Sequence, residues 1–289
     1  MQVYKFLFHQ YSKLMHFYFH QLKASTYEKK FQNELDAPQS FVLFLGYPRS
    51  GHTLLGSMLN AHPDVMIAHE YHALQKQRQH KTAASLYSHL LAQNKWFSSR
   101  GYRWTGYSYA IPTGWQNGTR ELKIIGDKRG GASSRILHKE PERLDHLQQL
   151  VEIPLKLIIV HRNPFDNIAT RARGGNYYRR KPSTERINKE IIRHFRDVET
   201  IDKIKKQQKY DYIELTHEDF IQNPGINISK ICDFLEITAD HDYISICEQA
   251  THSSGSKSRN KVSWTKSQIQ QINQQISRYD FLKDYTFEE

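Results

Sequence analysis

Residues Phe41 to Leu45 form an unbroken apolar run that stops abruptly in Gly46-Tyr-Pro-Arg-Ser-Gly-His-Thr53, and beyond it Leu54, Leu55, Met58 and Leu59 recur at helical spacing. A short apolar run bounded by turn residues is the pattern of a strand buried on both faces of a parallel sheet. Strand, glycine-bearing loop and helix, in that order, leave few folds open. Further apolar runs at Val65 to Ala68, Leu122 to Ile125, Leu155 to Val160 and Tyr210 to Leu215 predict four more strands, with helical patterns between most of them. The clearest helix starts near Ser183 and aligns Ile187, Ile191, Phe195, Val198, Ile201 and Ile204 on one face. This alternation predicts an α/β fold of three layers, P-loop-like, with a central parallel sheet flanked by helices.

A chain of 289 residues, 38% hydrophobic and 25% charged, has the length for one large α/β domain, predicted here over 41–289. Residues 1–40 precede it as an N-terminal amphipathic helix and a polar connector. In that helix Tyr4, Leu7, Phe8, Tyr11, Leu14, Met15, Tyr18 and Leu22 share a face. Two readings stand for it: packing on its own domain or on the second subunit of a homodimer, and peripheral contact with a membrane. No run approaches the ~20 apolar residues of a membrane span, and Lys5, His9, Lys13, His16 and His20 interrupt the start, which is unlike a signal peptide. Cys232 and Cys247 both lie in helix-like stretches, at no metal-ligand spacing and with no disulfide framework. A reducing, cytoplasmic setting is expected. The formal charge of +11 favours anionic partners without choosing among them. Asn117-Gly-Thr and Asn227-Ile-Ser match the glycosylation sequon.

The loop from Gly46 to Thr53 turns backbone N–H groups, and the positive end of the helix that follows, toward a bound anion. Its spacing is that of a nucleotide P-loop, yet His52 stands where the lysine belongs and a cation sits inside the loop as Arg49. A second motif runs Leu155-Lys-Leu-Ile-Ile-Val-His-Arg-Asn-Pro-Phe-Asp-Asn-Ile-Ala-Thr170. A buried strand delivers Arg162 to its carboxyl end, Pro164 suits the first turn of a helix, and Thr170 follows Arg162 by eight residues.

Together these two motifs resemble the 5′-phosphosulfate loop and the 3′-phosphate site of sulfotransferases that use 3′-phosphoadenosine 5′-phosphosulfate (PAPS). The resemblance spans roughly residues 41–265 and is nearest to tyrosylprotein sulfotransferases and their bacterial relatives. It implies that Arg49, Ser50, Gly51, His52, Thr53 and Leu54 hold the 5′ end of PAPS, that Arg162 and Thr170 hold its 3′-phosphate, and that no metal takes part. Ala61-His-Pro-Asp-Val65 followed by Glu70 matches the segment whose glutamate acts as general base, twenty-one positions after the loop arginine. His72 is its rival, since His69 points to the other side of any strand containing Glu70. Lys128, in Gly126-Asp-Lys128, is implied to stabilise the transferring sulfuryl group. Tyr212 to Phe220, Asn223-Pro224 and Ile231 to Leu235 resemble the stretch that closes the sheet. The basic segment Ser253 to Trp264, with Lys257, Arg259 and Lys261, is implied to fold over the cofactor, with Arg259 taken as the contact; which of the three cations meets the phosphate stays open, and a solvated basic loop is the other reading.

Outside the resemblance, residues 95–120 are crowded with Trp96, Phe97, Tyr102, Trp104, Tyr107, Tyr109 and Trp115, which either stack on an acceptor or pack a hairpin on the sheet. Gly174 to Lys181 has the make-up of a cationic gate. The acceptor is expected to be a small molecule, carbohydrate or peptide, and not nucleic acid. Two rivals stand: a kinase using ATP and magnesium, with Asp127 at a strand end as metal ligand, and a non-catalytic module binding polyanions.

Overall fold

The structure is a computed structural model, and it describes residues 23–29, 38–111, 121–174, 181–251 and 256–288. The N-terminal helix expected over the first 24 residues, the gate, Trp115 and the Asn117 sequon lie wholly or largely outside these. Five strands, β1 (Ser40–Gly46), β2 (Val65–His69), β5 (Ile124–Lys128), β6 (Leu155–His161) and β7 (Tyr212–Thr216), form one sheet. Its order is β2-β5-β1-β6-β7, and every pairing is parallel. A hairpin of β3 (Arg103–Trp104) and β4 (Tyr107–Ser108) lies outside it.

Alternation along β1 shows why this sheet is covered on both faces. Phe41, Leu43 and Leu45 enter one core cluster and Val42 and Phe44 the other, as the two-residue period of a strand requires. The first cluster includes the long helix Thr184–Gln207, whose N-cap is Ser183 and whose Ile187, Ile191, Phe195, Val198, Ile201 and Ile204 are all buried. The second holds α1 (His52–Leu59), with Leu55, Met58 and Leu59 buried, and the helix Pro224–Leu235. Three layers result, as predicted.

One strand departs from expectation. The run Leu122 to Ile125 predicted a strand ending before Gly126, whereas β5 continues through Gly126, Asp127 and Lys128, all buried. Hydropathy stops the strand where the site begins, because both charged residues find partners only in the fold. Asn227 is also corrected as a glycosylation acceptor: it is 1% exposed, and its amide donates to Asp219 and to the Asn223 carbonyl. Cys232 and Cys247 are buried free thiols on neighbouring helices.

Several histidines are buried in neutral form. Burial pushes His52 and His80 down to about 4 and His217 to about 3, and it lowers His69 and His194 as well. These rings protonate in the unfolded chain below its ordinary value of about 6.5, so their stabilising effect is present above that pH and is lost as pH falls through the folded values. Asp127, raised to about 6 by burial, and Asp197, also raised by burial, oppose this over part of the range, but the lowered histidines, His72 among them, outnumber these two carboxyls. Urea unfolding at pH 4 to 8 is expected to show stability rising to a plateau near neutrality. His52 alone contributes on the order of 3 kcal/mol to that rise. Equal stability at pH 4.5 and 7 would contradict the buried neutral rings.

Candidate active site

The loop between β1 and α1 is built for an anion by its backbone. Gly46, Arg49 and Gly51 have φ of 143°, 76° and 86°, and such reversals of hand turn consecutive N–H groups inward as a nest. The carbonyls are tied back from outside. The Asn167 amide donates to Pro48 O (2.9 Å) and to Ser50 Oγ (3.0 Å), Arg162 donates to Arg49 O (2.6 Å), and Ser134 Oγ donates to Gly46 O (2.8 Å). With its oxygens held away, the loop offers an anion N–H groups and little repulsion. Glycine is required at 51 on two counts: its φ is left-handed, and a Cβ there would lie 2.5 Å from His217 Nδ1.

Among the predicted loop residues the structure sorts the side chains. The buried hydroxyl of Ser50 braces the loop through Asn167. The His52 ring is turned inward: its Nε2–H donates to Leu45 O (3.1 Å) and burial keeps it neutral, which leaves its backbone N–H as the group it has for an anion. The Leu54 N–H bonds to the Gly51 carbonyl at 3.0 Å. Arg49 is half-buried and, among the described residues, has no carboxylate partner for its guanidinium. Thr53 accepts from Lys128 Nζ through Oγ1 (2.9 Å), which leaves its own proton free to donate.

The register of the sheet brings the reacting carboxylate in. His69 of β2 pairs with Lys128 of β5, so the next residue, Glu70, emerges beside Lys128. There the chain turns sharply, with φ of 56° at Glu70 and 71° at His72. Lys128 Nζ lies 3.1 Å from Glu70 Oε1, and Arg129 Nη1 is ion-paired with Glu70 Oε2. Burial pushes the Glu70 carboxyl up, but Lys128, Arg129 and His72 together outweigh it and hold it below the usual range. Burial also lowers the Lys128 ammonium, against the pull of Glu70. Glu70, Lys128 and Thr53 thus converge at the carboxyl end of the sheet, the edge at which open α/β sheets bind ligands.

The second motif forms the helix Pro164–Ala172 with Pro164 in its first turn and Asn163 as N-cap. Arg162 is buried; besides Arg49 O, it donates to Ser256 O (2.8 Å), and its Nε–H has no partner among the described residues. Thr170 Oγ1 donates to Asp166 O (2.8 Å), one turn back in the same helix. Arg162 and Thr170 therefore share no partner here, and Thr170 must rotate its hydroxyl to meet a phosphate.

Arg259 is 3% exposed, forks onto Asp166 (Nη2–Oδ2 2.6 Å, Nε–Oδ1 3.1 Å) and donates to the Thr286 and Phe287 carbonyls, close enough to Arg162 for the two charges to act on each other. Its charge is satisfied within the protein, which makes it a clasp for the C-terminal segment. Lys257 and Lys261 are exposed. Of the aromatic residues, Phe97 stacks on His69 (centroids 3.8 Å), and Trp104 meets the same ring edge-on, so these pack the hairpin onto the sheet. Tyr109 instead lies where the charges of Arg49 and Glu70 both act on it.

Asp127 fails as a metal ligand. It is fully buried, and its two oxygens accept the N–H groups of Tyr71 (2.9 Å) and Ala73 (2.7 Å). With Asp127 enclosed in β5 the kinase reading loses its one support, and His52 in the lysine position already stood against it. Three residues had escaped the sequence reading: Ser134, Asn167 and Arg129. Asn167 lies inside the second motif and Arg129 directly after Lys128, so position was their signal. Ser134 had none.

The family model for the sulfotransferase family matches residues 42–242. The chain belongs to this sulfotransferase family. It is accordingly a sulfuryl-transfer enzyme with PAPS as co-substrate, in agreement with its two phosphate motifs and against the reading of a non-catalytic module. No curated protein matches the chain. Among solved structures, the sulfotransferase domain of the Synechococcus PCC 7002 olefin synthase is 20% identical, with 73% of this chain and 78% of that one covered and a TM-score of 0.45. Sulfotransferase STF9 of Mycobacterium avium is 11% identical, covering 90% and 82%, with a TM-score of 0.49. Mouse sulfotransferase SULT7A1, solved as a complex with PAP, is 13% identical, covering 89% and 90%, with a TM-score of 0.47. Among the described residues no helix of this sulfotransferase is long and apolar enough to cross a membrane.

Proposed function

We propose that this sulfotransferase uses Glu70 as general base to activate an acceptor hydroxyl, with Thr53, Lys128, Arg49 and the inward N–H groups of the loop bearing the charge that develops on the leaving phosphate. The convergence of Glu70, Lys128 and Thr53 beside a loop whose carbonyls are tied back carries this reading. The acceptor proton passes to Glu70 as the acceptor oxygen bonds to sulfur, and the bond between sulfur and the phosphate oxygen breaks with its electrons going to that oxygen. Thr53 is suited to its place because Lys128 occupies its lone pair and orients its proton outward. Positive side chains then do what magnesium does in phosphoryl transfer.

Arg162 supplies the 3′-phosphate contact through its unpartnered Nε–H, with Thr170 nearby in sequence. Titration of adenosine 3′,5′-bisphosphate (PAP) and adenosine 5′-monophosphate tests this. Arg162→Ala is expected to lower the ratio of PAP to monophosphate affinity about ten-fold or more, the loss of one charge-assisted contact, beyond any common loss from loosening the Arg49 carbonyl. An unchanged ratio would remove Arg162 from the 3′-phosphate site. Residues 41–289 act as the transferase domain. Cys232 and Cys247 are free thiols rather than a disulfide, in keeping with a chain working in a reducing cytoplasm. The acceptor is a small molecule, carbohydrate or peptide that reaches Glu70 past Tyr109.

A further inference from the structure

Glu70 is locked in this structure. Lys128 holds one carboxylate oxygen and Arg129 the other, and a carboxylate paired on both oxygens is a poor proton acceptor. The two partners differ in their freedom. The Lys128 side chain is 4% exposed and also anchored on Thr53 Oγ1, whereas the Arg129 side chain is 28% exposed at the rim. Arg129 is therefore the partner that can leave.

Its surroundings indicate what draws it away. Arg129 Nε is buried and without a hydrogen-bond partner among the described residues. Arg135, on the helix Gly130–Lys139 that begins directly after Arg129, is exposed and in no ion pair among the described residues. Partial desolvation of its guanidinium end depresses its pKa; Asp197 opposes this, and Arg171, Arg129 and Arg196 add to it. Asp197 is already shared by Arg171 (3.4 Å) and Arg196 (3.2 Å), and Glu190 by Arg171 (2.9 Å) and Arg193 (2.7 Å), so neither carboxylate is left for Arg135. Cations thus outnumber the carboxylates available to them on the Arg129 side of the site, and an oxyanion arriving there meets a favourable field.

Resting on Glu70 as the base, we propose that Arg129 recognises an acceptor bearing an oxyanion, a carboxylate, phosphate or sulfate, close to its reactive hydroxyl, and that this group draws Arg129 off Glu70. The base is then released only when the acceptor is seated. Sulfuryl transfer to water is suppressed for the same reason: water brings no anion to open the pair.

The test follows the Glu70 carboxyl by carbon-13 NMR in enzyme saturated with PAP, which fills the loop, with inorganic sulfate as the probe. Charged and titratable groups acting with Glu70 are Lys128, Arg129 and His72, with Asp127, His52 and Tyr109 on neighbouring elements. In the wild-type protein sulfate is expected to raise the Glu70 titration midpoint. Arg129→Gln should raise it without sulfate, bind sulfate about ten-fold more weakly, and show no further rise when sulfate is added. Arg129→Lys should restore the response. A midpoint indifferent to sulfate in the wild type, or moved equally in Arg129→Gln, overturns the proposal. Failure of PAP to bind at all would instead sink the reading of the loop on which the proposal rests.

Discussion

Glu70→Gln is expected to reduce turnover about 10²- to 10⁴-fold, the range for loss of a positioned general base, while PAP binds nearly as well as before. Glutamine keeps the length and planar shape of glutamate and can still accept from Lys128 through its carbonyl, so the fold around β2 and β5 has little reason to change. What disappears is the proton acceptor. His72 is the competing base, and its geometry is weaker: its ring hydrogen-bonds Gln75 (3.2 Å), whereas Lys128 bonds Glu70 and Thr53. Steady-state kinetics with any identified acceptor, paired with PAP calorimetry, checks the prediction. Activity surviving in Glu70→Gln but lost in His72→Ala would transfer the role to the histidine.

Lys128→Met is expected to cost about 10² to 10³ in turnover, the scale of one preorganised donor aimed at developing charge, with a smaller loss in PAP affinity. Methionine preserves the volume of a side chain whose Cγ lies 2.9 Å from the place a Cβ on Gly56 would occupy, so packing is largely retained. Removing the ammonium has two local consequences. Thr53 loses the donor that orients its hydroxyl, and Glu70 keeps only Arg129 as a cationic contact. Turnover within about three-fold of wild type would remove Lys128 from the chemistry and leave it as a structural tie between α1 and β5.

Much of the architecture could be read from local pattern. Phe41 to Leu45 and Leu155 to Val160 are strands buried on both faces, and a two-sided parallel sheet makes such strands uniformly apolar. The helix after Ser183 was legible through its cap and its spacing. The site was legible in part: Glu70, Lys128 and Thr53 came from motif resemblance, and the structure brings them together. The pairing of Arg259 was not legible, because a basic loop looks alike in sequence whether its cation faces solvent, a phosphate or a buried carboxylate. Its partner Asp166 is ninety-three positions away, and nothing local signals that pairing.

The chain by itself determined the elements and the loop: apolar runs, capping residues and glycines act over a few positions, and their physics is local. Only the tertiary structure decided partners. Asp127 and Lys128 look like the polar end of a strand, yet both belong to it, because the Tyr71 and Ala73 amides satisfy one and Glu70 with Thr53 the other. The register of β2 on β5 sets that outcome, and register depends on how whole strands pack. The freedom of Arg49, the enclosure of Arg259 and the lock of Arg129 on Glu70 are likewise differences in burial and pairing between residues that carry the same charge.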